Sequence, residues 1–175
     1  TVDDVIAEIA ALSPIDPRPA DTPAPNATPA FLGWHDHASE PAAASEFLSR
    51  FCAQPLLAGI ARDILGPNVR LYRNDALYNP PRSRGALPWH QMNTTAFPRP
   101  QAFLNCCIAL SHVTAENGCL SLVPGLHRFG TFAPVDTAAG TSLWPDDELP
   151  AGAASVDIEL RAGSLLVLSS LTPRR

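Results

Sequence analysis

The hydrophobic pattern changes period at Gly66-Pro67, and this limits the fold more than any other feature of the 175-residue sequence. Before that point apolar residues recur at helical spacing. Val2, Val5, Ile6, Ile9 and Leu12 mark a first helix, with Asp3 and Asp4 in its opening turn. Ser39 to Phe51 reads as a second, with Glu40 in the first turn and Phe47, Leu48 and Phe51 on one face. Leu56 to Leu65 reads as a third, ended by Gly66-Pro67. Beyond it the signal is alternation bounded by turn residues. Val69 to Tyr78, Ala102 to His112, Cys119 to Val123, Val156 to Leu160 and Leu165 to Leu171 read as strands. Helices first and strands afterwards predict an α+β, mainly β chain whose strands form a sandwich or barrel.

Three stretches fit neither pattern. Ser13 to Pro29 carries six prolines and predicts an extended connection. Trp34-His35-Asp36-His37 offers an H-x-H pair without a third ligand beside it, which predicts a polar loop. Thr131 to Ala154 is polar, rich in Ala and Gly, and too long for a turn, so a lid or a mobile excursion is expected there. Its acidic run Asp146-Asp147-Glu148 reads as solvated loop.

Charge and composition exclude several classes of function. A net charge of −5 leaves no basic footprint for nucleic acid or an anionic membrane. No apolar run reaches the ~18 residues of a membrane span, and no secretion signal opens the sequence. All 12 basic residues are Arg, so Schiff-base lysine chemistry is excluded. The cysteines Cys52, Cys106, Cys107 and Cys119 form no C-x-x-C pair, and adjacent Cys106 and Cys107 would point to opposite faces of a strand. Reduced, mostly buried thiols in a cytoplasmic protein are expected.

The chemistry concentrates in two runs. Leu87-Pro88-Trp89-His90-Gln91-Met92-Asn93 follows the turn-rich stretch Asn79-Pro80-Pro81-Arg82-Ser83-Arg84-Gly85. Further on stands Glu116-Asn117-Gly118-Cys119-Leu120, continuing to Pro124-Gly125-Leu126-His127. A His at such a place can serve as general acid or base near neutral pH. Together the runs resemble the phytanoyl-CoA dioxygenase family, which reads W-H-Q-D at the first and E-N-G-C-L…P-G-S-H at the second. The likeness extends from about Leu56 onward. It implies a double-stranded β-helix, the cupin-like jelly roll, with the N-terminal helices packed outside. On that reading residues 1–67 are a helical, Pro-rich part and residues 68–175 a jelly-roll core lacking its C-terminal end.

The resemblance also implies Fe(II) and 2-oxoglutarate, the metal being held by two His and a carboxylate. His90 matches the first ligand of the family. Met92 stands where the carboxylate belongs, and Arg174, counted from Gly163, where the second His belongs. The arginine that grips 2-oxoglutarate in the family would fall beyond Arg175. A thioether is a poor match for hard Fe(II), and a guanidinium cannot ligate a cation. Neither metal nor cofactor is therefore expected. His90 and Arg174 are the expected catalytic residues, and Met92, Asn93, Trp89, Tyr78 and Asn105 the expected substrate-binding ones. Strand alternation turns His90 and Met92 into the pocket and the side chains of Trp89 and Gln91 away from it. His127 reads as structural and His112 as surface.

These readings converge on an enzyme that tailors a small organic molecule without iron, by isomerisation, cyclisation, elimination or epimerisation. Two alternatives stand beside it. One is a non-catalytic ligand-binding protein or partner subunit of a catalytic homologue. The other is a working dioxygenase with ligands reassigned to His90, Asn93 and the Asp146-Asp147-Glu148 run. The partner expected is a small molecule, with an anion suited to Arg174; association with a second copy or a homologue is left open.

Overall fold

A computed structural model describes residues 1–12, 36–39, 41–78, 87–92, 103–137, 140–145 and 148–175. Ser13–Pro29, Trp34, His35, Glu40, Asn93, Asp146 and Asp147 lie outside the described residues. The chain divides into two compact units, the described residues up to Tyr78 and those from Leu87 onward.

In the first unit, α1 (Val2–Leu12) buries Val5 and opens on Asp3 and Asp4, as its period predicts. The stretch read as one helix from Ser39 to Phe51 is two: α2 (Pro41–Ala44) and α3 (Glu46–Cys52). The break is Ser45, which is extended (φ −134°, ψ 124°) and caps α3 by accepting from Leu48 N at 3.2 Å. The same hydroxyl donates to Glu8 of α1 at 2.5 Å, tying the helices together around buried Leu48. Ser45→Ala removes both bonds and is expected to destabilise this unit by about 1–2 kcal/mol. A urea titration followed by helical circular dichroism measures it; an unchanged midpoint would show that the cap is idle.

The helix α4 (Pro55–Leu65) begins on a proline at its first turn and ends where Gly66 adopts φ 98°. The H-x-H stretch is corrected in part: Asp36–Ser39 is a strand, β1, rather than loop. It pairs antiparallel with β2 (Asp75–Tyr78), Asp36 opposite Tyr78. Only this last part of the expected strand from Val69 is regular, and it belongs to the first unit. Ala42 N donates to Asn74 Oδ1 at 2.9 Å, fixing α2 to the residue before β2.

The second unit holds the remaining strands. β3 (Leu104–Ile108) pairs antiparallel with β8 (Leu165–Ser169), and β4 (Leu120–Leu122) with β7 (Val156–Ile158). The long polar segment is not an excursion. It forms a hairpin of β5 (Val135–Thr137) and β6 (Gly140–Ser142) and then buries Leu143 and Trp144. Those two residues join Trp89 and Val123 in the core, with Phe132, Leu126 and Leu149 packed around them. The Trp89 and Trp144 rings meet tilted at 5.8 Å, a favourable aromatic geometry. Burying an indole as fully as Trp89 contributes on the order of 4–6 kcal/mol before entropy is counted.

All four cysteines are free thiols. None is fully buried, and Cys106 is exposed while its neighbour Cys107 is not, as alternation requires. No helix among the described residues is long and apolar enough to cross a membrane.

Candidate active site

Three short segments lie side by side in the second unit. Residues 173–175 run between 88–91 and 121–123, antiparallel to both. His90 N donates to Arg174 O, and Arg174 N to His90 O, each at 2.9 Å. Residues exchanging both bonds stand directly opposite, about 5.5 Å apart at Cα, with side chains on one face. Leu122 faces Arg174 from the other side. His90, Arg174 and Leu122 therefore form a row on one face of this small sheet. Trp89 and Val123 fall on the reverse face, in the core. Arg175, opposite Trp89, lays its guanidinium over the indole at 4.9 Å.

The sequence places Arg174 and His90 far apart, and the fold makes them neighbours. Both are buried, His90 at 8% exposure and Arg174 at 4%. His90 Nδ1 lies 2.9 Å from Pro88 O. A carbonyl oxygen only accepts, so Nδ1 carries the proton, and in the neutral ring Nε2 is the basic nitrogen. Pro88 thus sets the tautomer, a role its position in the sequence did not reveal.

Arg174 faces the thiol of Cys107 on β3. Burial pushes the guanidinium pKa down, and Cys107 offsets part of that. Burial likewise raises the Cys107 thiol, with Arg174 pulling it back. Nε and Nη2 of Arg174 have no hydrogen-bond partner. Neither does Nδ2 of Asn105, two residues before Cys107 and on the same face of β3. Opposite Asn105 and Cys107 on β8 stand Leu168 and Leu166. An amide and a thiol thus share one face of β3 beside leucines of β8, and the thiol meets Arg174, whose neighbour is His90. Cys107 was not among the expected site residues, although its spacing from Asn105 places both on one strand face.

Gln91 is the second feature that the residue pattern hid. Its side chain turns away from the His90 row, as expected, and is almost wholly buried. Nε2 donates to Gly130 O at 2.9 Å and to Leu171 O at 2.5 Å, and Oε1 accepts from Phe132 N at 2.9 Å. It pins the His90 segment to two loops.

The other expected residues fare unequally. Trp89 is a core residue on the reverse face from His90, which corrects its assignment to substrate binding. Met92 N bonds to Ser170 O at 3.0 Å, not to Thr172 as a continued ladder would require. The ladder ends before Met92, so alternation no longer fixes the direction of its thioether. Tyr78 ends β2 in the first unit, and Asn93 lies outside the described residues. His112 is exposed at the end of its strand region, and His127 is half-buried in the 3₁₀ turn Leu126–Phe129.

The model of the phytanoyl-CoA dioxygenase (PhyH) family matches residues 1–173. The chain belongs to that family. Rat peroxisomal phytanoyl-CoA dioxygenase is 31% identical over 96 residues, 53% of this chain and 28% of the rat protein. L-proline trans-4-hydroxylase of Streptomyces griseoviridis is 31% identical over 110 residues, covering 60% of this chain and 38% of that enzyme. The matched stretches thus cover well under half the length of these curated relatives. Among solved structures, the epimerase SnoN with Fe3+, alpha ketoglutarate and nogalamycin RO superposes with a TM-score of 0.70 at 23% identity. That match covers 99% of this PhyH chain and 66% of SnoN. The carbocyclase SnoK from nogalamycin biosynthesis gives the same TM-score and identity over 99% of this chain and 67% of its own. EvdO2 from Micromonospora carbonacea var. aurantiaca scores 0.70 at 21% identity, over 99% and 73%. The PhyH chain therefore shares the overall fold of these proteins, and its described residues combine helices with antiparallel strand pairs.

Proposed function

We propose that this PhyH protein is a tailoring enzyme for a small natural product and that it has given up iron. The observation that carries the reading is the His90–Arg174 pair, locked side by side by two backbone hydrogen bonds. In the resemblance the two positions are those of the paired His ligands, and one of them here is a cation. Fe(II) does not fit this donor set. A guanidinium has no lone pair to give, and a positive charge about 4 Å from the metal costs roughly 4 kcal/mol per unit of metal charge at an effective dielectric near 20. Among the described residues no three His, Cys, Asp or Glu side chains converge to compensate.

What the pair suits is proton transfer. His90 Nε2 removes a proton from carbon, and the negative charge that develops is met by Arg174 in a water-poor interior. The protonated imidazole then returns the proton at the new position, which completes an isomerisation or, at a departing oxygen, an elimination. A positioned general base contributes about 10²–10⁴-fold to such a step. The activities of SnoN and SnoK, epimerase and carbocyclase, lend support to a tailoring role.

Calorimetric titration with Fe(II) or Mn(II) under anaerobic conditions tests the loss of iron. The expected result is no stoichiometric binding and no succinate from 2-oxoglutarate. Met92→Asp combined with Arg174→His should raise metal affinity, and either change alone should do far less. Tight binding by the unaltered protein together with succinate release would overturn the proposal.

A further inference from the structure

Nε and Nη2 of Arg174 are the two nitrogens of one edge of the guanidinium, the edge whose N–H bonds run parallel. Both lack a partner, and the side chain is 4% exposed. Buried cations are paired, because an unpaired charge in such surroundings is costly. Beyond the Cys107 thiol, the second unit offers the guanidinium no carboxylate partner among the described residues. Glu116, Asp136, Glu148, Asp157 and Glu159 are all exposed. No described carboxylate of this unit therefore answers the charge of Arg174.

We infer that the parallel edge of Arg174 grips a planar carboxylate of the substrate two-pronged, with the Asn105 amide supplying a further hydrogen bond from β3. Two parallel donors match the two oxygens of a carboxylate, and the fit gives direction as well as affinity. A phosphate dianion is tetrahedral and more heavily solvated, and the surrounding Leu122, Leu166 and Leu168 offer it nothing. The leucines suit the hydrocarbon part of an organic acid. Anchored so, the acid has a carbon near its carboxylate beside His90. That last statement rests on the proton-transfer reading; the grip itself does not.

The probes are acetate, benzoate and inorganic phosphate at constant ionic strength, added to protein passed over a chelating resin. The readout is the ¹⁵N–¹H resonance of Arg174 Nε, assigned by its disappearance in Arg174→Lys. Benzoate is expected to shift it saturably and downfield, acetate more weakly, and phosphate not at all. Arg174→Lys keeps the charge and loses the fork, and should weaken benzoate binding by ~10-fold or more, read on the Trp fluorescence. Absence of a saturable shift with either carboxylate, tighter binding of phosphate, or full affinity in Arg174→Lys would each overturn the inference. A negative result removes the carboxylate grip and leaves the iron question to the metal titration, so the two failures are separable.

Discussion

An Arg174→Met variant is expected to melt higher than the wild-type protein while losing carboxylate binding altogether. The guanidinium is buried beside Cys107 with Nε and Nη2 unpartnered. Each unsatisfied buried donor costs about 1–3 kcal/mol, and replacing buried charges by apolar groups of similar volume is often stabilising by about 1–4 kcal/mol. Methionine fills a similar length without a charge and tolerates an irregular space. The expected gain is about 2–4 kcal/mol, which for a domain of this size is on the order of 5–10 °C in melting temperature. Benzoate should stabilise the wild type by linkage and leave the variant unmoved. A variant that melts lower would show that Arg174 is a structural cation and that its free edge is no binding device. A residue kept at such a cost marks a site where stability gives way to function.

Gln91→Leu is expected to do the opposite. The side chain satisfies two carbonyls, of Gly130 and Leu171, and one amide, of Phe132, at a place with no access to water. Leucine is of similar volume, so packing changes little while three polar backbone groups lose their partner. The loss should be about 3–5 kcal/mol. Urea unfolding with an unchanged slope and a much lower midpoint is the expected signature. A loss below about 1 kcal/mol would mean that water enters and replaces the amide. Because Gln91 adjoins His90, the ordering of the imidazole should suffer as well.

Periodicity made the elements legible where one residue decides a boundary locally. Gly66 ends α4 as its position predicts, and the alternation of Leu104–Ile108 and Leu165–Ser169 marks a real antiparallel pair. It failed at Ser45, because the partner that makes this serine a junction, Glu8, lies on another helix. It failed again at Thr131–Ala154, where polar composition outweighed the two large apolar residues, Leu143 and Trp144, that enter the core. The candidates His90 and Arg174 were picked out through the family resemblance, whereas their shared face needed the hydrogen-bonded register. Pro88 O, Cys107 and the free edge of Arg174 are properties of three-dimensional packing that no spacing encodes.

The placement of residues 173–175 between two earlier segments governs the order in which the protein can be made. As the ribosome delivers the chain, residues 88–91 and 121–123 emerge first and cannot pair with each other, since the strand that separates them has yet to appear. Gln91 waits 80 positions for Leu171. Contacts that distant form slowly, and in the interval the two segments lack the strand that pairs with both. The edges of 88–91 and 121–123 thus stay open to wrong pairing until residues 173–175 have been synthesised, and a chaperone that shields them would act in that interval.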